Sequence, residues 1–127
     1  MSGPQRVLAL APYCDGEDVG EAWCAHQWVE NLARQVPVTL LTLRRRGRTP
    51  ASVQLPHVEV IEWDETLSPE RLSRLTAMLK PGYLGYYGAA RRWIARALAG
   101  GRRFSVAQQF SPIALRYPSP LAEFPIP

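Results

Sequence analysis

The chain has no apolar run approaching the roughly 18 to 20 residues that a bilayer span requires, and its N-terminus lacks the long apolar stretch of a secretory signal. Those absences are expected of a cytoplasmic protein. Cysteine is scarce: Cys14 and Cys24 stand ten apart, which is neither a metal-ligand spacing nor a disulfide framework, so both are expected as reduced thiols. Internal repeats, low-complexity tracts and Ser/Gly linkers are absent, and nothing divides the chain into two domains. The three-glycine G-x-G-x-x-G spacing is missing from the first loop and no acidic residue ends the second strand, which argues against dinucleotide binding.

What is present fits one α/β domain. The 127 residues are 46% hydrophobic and 20% charged, a globular balance with enough chain for one core. Basic residues outnumber acidic ones 15 to 11, and every basic residue but Lys80 is arginine. A formal charge of +4 points only weakly to an anionic partner.

Residues 6–12 hold the near-continuous run Val7, Leu8, Ala9, Leu10 and Ala11, the pattern of a central parallel strand covered on both faces. Between Gly20 and Gln35, Ala22, Ala25, Val29, Leu32 and Ala33 recur at helical spacing, which predicts an amphipathic helix. Two further strands are expected in PVTLLTL (37–43) and HVEVIEW (57–63). Ser68, Pro69 and Glu70 form a helix-start signal followed by Leu72, Leu75 and Leu79. Pro81 and Gly82 interrupt that pattern, and a second helical stretch runs through Tyr87, Arg91, Ile94 and Leu98 to a stop at Gly100 and Gly101. FSVAQQF (104–110) reads as a fourth strand and SPIALRYPSPLA as a loop with a short helix. Strand-helix alternation implies right-handed crossovers and a Rossmann-like, doubly wound, mainly parallel sheet. The proline-rich end, FPIP, reads as a domain cut short or as a frayed tail.

Taken together, APYCDGEDVGEAWCAHQWVENLA, VTLLTL with its basic loop, HVEVIEW and FSVAQQFSPIALRYPSPLAEFPIP resemble the N-terminal half of family-four retaining glycosyltransferases of GT-B fold. The resemblance covers essentially the whole chain, and DVGEAW and SPIALRYPSPLA carry most of it. It implies a two-lobed enzyme whose first lobe holds a sugar or lipid-linked acceptor and whose second, absent here, binds most of the nucleotide-sugar donor. On that reading the chain alone is inactive. No metal and no cofactor beyond the nucleotide-sugar co-substrate are implied, since such enzymes usually steady the leaving diphosphate with protein groups and helix dipoles. The implied setting is cell-envelope or exopolysaccharide assembly, on the inner face of the membrane.

The first loop carries Gly16, Glu17, Asp18 and Gly20 just ahead of a helix whose free amides are expected to point into the cleft, where they would hold an anion or a sugar hydroxyl. In the resemblance these positions match the acceptor loop. The plainer alternative is that Asp18 caps the helix while the glycines make the turn. At the end of the fourth strand, where many relatives place a histidine, this chain has Gln108. Its amide can donate to and accept from sugar hydroxyls but cannot titrate near neutral pH, so no catalytic base is assigned. Gln108 and Gln109 alternate in direction along a strand, so one of them is expected to reach the cleft. Ser111 and Arg116 follow in the family-like run, Arg116 either binding an acceptor anion or pinning the loop.

Arg44, Arg45, Arg46 and Arg48 leave the second strand on the same carboxyl edge as the first loop. They are expected either to attract a phosphorylated acceptor or an anionic membrane surface, or to form an ordinary solvated loop. His26 is read as a packed or carboxylate-paired side chain, and Trp23 and Trp28 as packing residues beside the buried stripe. Tyr83, Tyr86, Tyr87, Arg91, Arg92 and Trp93 interleave aromatic and basic groups, but several share the face that must pack on the sheet and no nucleic-acid motif accompanies them. No nucleic-acid partner is expected, and a membrane-proximal groove fits this cluster better. A stand-alone doubly wound module for a small anionic ligand is the competing class.

Overall fold

A computed structural model of the chain describes residues 5–45, 47–64 and 81–110, together with Leu121, Phe124 and Ile126. Four strands, β1 (Val7–Leu10), β2 (Val38–Arg44), β3 (Glu59–Asp64) and β4 (Val106–Gln109), form one sheet in the order β3-β2-β1-β4. Every pairing is parallel, with Val7 opposite both Val38 and Val106, and Leu40 opposite Val60. Among the described residues three helices accompany it: α1 (Glu21–Ala33), the short α2 (Ala51–Gln54) and α3 (Pro81–Ala99). The fold is α/β and Rossmann-like.

β1 is buried along its length because the period-two alternation of the strand feeds two cores at once. Val7 and Ala9, with Val38 and Leu40, pack under Ala25 and Val29 of α1. Leu8 and Leu10, with Leu41 and Leu43, face Tyr86, Ala90, Ile94 and Ala97 of α3. Each fully buried leucine or isoleucine contributes roughly 1.5–3 kcal/mol. A continuous apolar run thus becomes a central strand for a plain reason: neither of its faces meets water.

The chain crosses from one side of β1 to the other between β3 and β4. α3 makes the return on the opposite face from α1, and it ends in a left-handed glycine. Gly101 has φ 89°, its amide donates to Leu98 O, and the Arg102 amide reaches back to Ala97 O. That closed pair of bonds satisfies the last carbonyls of the helix and turns the chain into β4. The interruption expected at Pro81 is the start of α3, where a missing amide costs nothing. The helix-start signal at Ser68 and the loop 111–120 lie outside the described residues. α2 was not anticipated: it is a single turn built on Pro50.

A polar clasp ties the amino ends of the strands. Thr39 donates to Glu59 Oε1 (2.8 Å), Arg6 donates to the Thr39 hydroxyl (3.2 Å), and Arg102 donates to Glu59 (2.6 Å) while stacking on Trp93 and Phe104. Burial pushes the Glu59 carboxyl up, but the Arg102 and Thr39 hydrogen bonds outweigh it and the net direction is down. The stabilisation from this ionised carboxylate is therefore present above its unfolded-state pKa and is lost as pH falls through the lowered folded value.

On the α3 side the hydroxyl of the fully buried Tyr86 donates to Leu41 O (2.8 Å) while its ring meets Trp63 edge-on. Leu41 O also accepts from the Ala11 amide, so it keeps a partner when the hydroxyl is removed. Tyr86→Phe should cost about 1 kcal/mol in urea unfolding and Tyr86→Ala about 3–5 kcal/mol, because the ring, not the hydroxyl, fills the core. Equal losses would contradict that division.

Candidate functional site

Parallel strands deliver their following loops to one edge, and here the loop after β1 (residues 11–20) and the loop after β2 (45–50) meet at the carboxyl ends of the neighbouring strands β1 and β2. Asp15 joins them. It is 3% exposed, and a buried carboxylate must collect donors. Its Oδ1 accepts from the Glu17 amide (2.8 Å) and from Gln54 Nε2 (3.0 Å), and its Oδ2 accepts from Arg45 (3.2 Å), with Arg48 at 3.8 Å. Gln54 completes the bracket from α2: its Oε1 accepts the Gly16 amide (2.8 Å) and its Nε2 also reaches Thr49 O (2.9 Å).

Arg45 is the second hub. The same guanidinium nitrogen donates to Asp18 Oδ2 (2.7 Å), and the group lies 4.8 Å from the centre of the Tyr13 ring. The Arg45 hydrogen bond is the main reason the Asp18 carboxyl sits below the usual carboxylate range, helped by the Val19 amide. The Asp18–Arg45 pair accordingly holds above the unfolded-state pKa of aspartate and is lost as acid passes through the lowered value. Glu17 accepts from the Thr49 hydroxyl (2.9 Å). Asp15, Arg45, Arg48, Thr49 and Pro50 line a shallow concavity with Cys14 in its floor. Burial pushes the Cys14 thiol up to about 12, with the Asp15 charge adding to the effect, so it is no nucleophile at neutral pH.

The loop residues singled out from sequence are together at this edge, but their backbone is spent internally. The amides of Gly16, Glu17 and Val19 donate to side-chain oxygens, and that of Asp18 to Asp15 O. What stays open is the start of α1, where Gly20 (φ 69°) occupies the N-cap position and no side chain caps the first turn. Asp18 therefore does not cap the helix; Arg45 has claimed its carboxylate. Gly16 has a different requirement: a Cβ there would come within 2.7 Å of His26 Nε2. The imidazole is buried and its Nε2 lies 3.0 Å from Glu30 Oε2, so His26 is both packed and carboxylate-paired, a ledge under the loop.

β4 brings Gln108 and Gln109 to the same edge, opposite Ala9 and Leu10. Gln108 is exposed, its amide nitrogen folded onto Gln109 O (3.0 Å), and Gln109 is half-buried with an Oε1 that has no hydrogen-bond partner among the described residues. Ser111, Arg116 and Arg46 lie outside the described residues. The other arginines of the basic loop are not a free cationic patch. Arg44 donates to Asp64 (2.7 Å) and approaches Glu62, while Arg45 and Arg48 face Asp15 and Asp18. Asp15, Thr49 and Gln54 escaped the sequence reading because their roles arise only when α2 folds back onto the first loop. Trp23 and Trp28 are more exposed than packing residues usually are, at 45% and 36%; Trp28 meets Phe110 edge-on (5.1 Å).

Comparison of the chain with protein-family models, with curated proteins and with solved structures finds no match in any of the three.

Gly16→Ala should destabilise the chain by about 1–3 kcal/mol, the range for an overpacked contact, since its φ is not left-handed and the cost is purely steric. Pairing it with His26→Ala in a double-mutant cycle should recover most of that loss. Simple additivity in urea unfolding would show that the ring does not support the loop.

Proposed function

We propose that this chain is the acceptor-side lobe of a nucleotide-sugar-dependent retaining glycosyltransferase of the two-lobed GT-B kind, acting in the cytoplasm and inactive without its donor lobe. The observation that carries this reading is the charge-compensated bracket of Asp15, Asp18, Arg45, Arg48 and Gln54 at the carboxyl edge of a parallel sheet. Planar carboxylate, guanidinium and amide groups held in fixed geometry offer donors and acceptors to hydroxyls without strong net charge. Trp23, partly exposed at the start of α1, offers an apolar face to a sugar ring near the same loop. The pairing of every described arginine in the basic loop speaks for a polyhydroxyl acceptor over a bare anion, and so against a module for a small anionic ligand.

Within this reading the loop 13–20 and the end of β4 bind and orient the acceptor. Gln108 would hydrogen-bond a hydroxyl and leave proton transfer to the donor side or to the substrates themselves. The nucleotide-sugar donor supplies the leaving diphosphate, and its contacts belong to the other lobe. Acceptors of the sugar or lipid-linked class, in envelope or exopolysaccharide assembly, follow from the family resemblance.

NMR titration of the chain with a panel of neutral saccharides should move the signals of Gly16 to Gly20, Arg45, Gln54 and Gln108. Arg45→Gln should weaken that binding at least tenfold, as the loss of a charge-assisted hydrogen bond at about 1.5–3 kcal/mol requires. The protein expressed from its whole open reading frame should transfer sugar from at least one nucleotide sugar. Silence of those signals across the panel, together with no transfer from any donor, would remove the proposal.

A further inference from the structure

Five serines and threonines fall within the described residues, and the structure separates them by what their hydroxyls can reach. Thr39 and Thr42 are fully buried in β2. Ser105 follows two arginines in RRFSV, a charge pattern of the kind that protein kinases select, but the intervening Phe104 is 8% exposed in the core and the Ser105 amide donates to Arg6 O (2.9 Å). That segment cannot enter an enzyme's groove without giving up core packing. Ser52 donates to Glu62 (2.7 Å), whose side chain is 12% exposed and fixed on β3, so a negative charge stands permanently beside that hydroxyl. Thr49 remains. It ends the basic loop in RRRGRTP, and Pro50 after it restricts its backbone to the extended form. Its hydroxyl donates to the carboxylate of Glu17 (2.9 Å), an exposed loop residue free to turn into water.

Donors for a phosphate stand beside it. Arg48 is exposed, and its contacts to Asp15 (3.8 Å) and Asp18 (4.0 Å) are both longer than a hydrogen bond. We propose that Thr49 is a phosphorylation site for a protein serine/threonine kinase, with Arg48 as the group that receives the phosphate. Thr49 Oγ1 attacks the γ-phosphorus of a nucleoside triphosphate. The new O–P bond forms as the bond to the β,γ-bridging oxygen breaks, nucleoside diphosphate leaves with that electron pair, and the hydroxyl proton passes to a base of the kinase. The product carries a charge of about −1.5 to −2 at neutral pH. It repels Glu17 and draws in Arg48, which lines the same concavity as Thr49 and exchanges two long contacts for charge-assisted hydrogen bonds. The phosphate then fills the concavity and plugs this part of the carboxyl edge. Thr49 would serve as such a site whether or not the chain belongs to a glycosyltransferase.

The test incubates the chain with magnesium ATP and, separately, with one purified kinase that selects arginine ahead of the acceptor and one that selects proline after it. At least one of them should add a single phosphoryl group, placed on Thr49 by peptide mass spectrometry. Thr49→Ser should still accept it and Thr49→Val should lose it completely, with NMR spectra of both variants checking that they fold. In the phosphorylated chain the Arg48 Nε–H signal should shift and exchange more slowly with water, while that of Arg102, at the opposite edge, stays in place. No label on Thr49 from either kinase, label on Ser105 or Ser52 in its stead, label retained by Thr49→Val, or an Arg48 signal that does not respond would each overturn the proposal.

Discussion

The Asp15 carboxylate, buried beneath the surface of the first loop, needs donors on both oxygens, and each donor comes from a different piece of chain. The Glu17 amide bends the loop after β1 around it, Arg45 draws in the loop after β2, and Gln54 pulls α2 down onto both. A carboxylate left without these partners would cost several kcal/mol. Two loops and α2 are thereby held in one arrangement by a single charge, and the concavity between Asp15, Arg48 and Thr49 is the shape that results.

The two edges of the sheet solve the same electrostatic problem for different ends. At the amino edge Arg6, Thr39, Glu59 and Arg102 saturate one another across all four strands, and the outcome is rigidity. At the carboxyl edge the pairing of Asp15, Asp18, Arg45 and Arg48 is looser, with two of its contacts near 4 Å, beside a helix start with no side-chain cap and a half-buried Gln109 oxygen without a partner among the described residues. A polar surface fixed in position but incompletely satisfied is what a ligand with several hydroxyls can complete. Loop positions on a rigid parallel sheet are where such ligands bind.

Much of the scaffold was legible in the sequence, because burial on both faces writes itself as an unbroken apolar run in β1 and as helical spacing in α1. The central place of β1, the parallel sheet and the glycine stop after α3 all follow from local pattern. The site was legible only in part. Gly16, Glu17, Asp18 and Gly20 stand at the working edge as their position after a strand implies, yet their amides are bonded within the loop. Contacts such as Gln54 on Gly16, 38 residues apart, and Arg45 on Asp18, 27 apart, have no local signature. The same blindness left the arginine run after β2 read as either an anion-attracting or an ordinary solvated loop, when the carboxylates that neutralise its described members come from the first loop and from β3.

Hydrogen exchange of Asp15→Asn tests the role of the buried carboxylate most directly. The amide side chain keeps the volume but removes the charge and replaces one carboxylate oxygen by an NH2 donor, which must face either Arg45 or the donors of Glu17 and Gln54. If Asp15 organises the edge, the amides of Gly16 and Glu17 should exchange at least about tenfold faster, in line with the loss of about 1–3 kcal/mol for a mismatched buried group, while protection in β1, β2 and α3 is kept. Unchanged protection at Gly16 and Glu17, or a uniform loss across the whole sheet, would contradict the account.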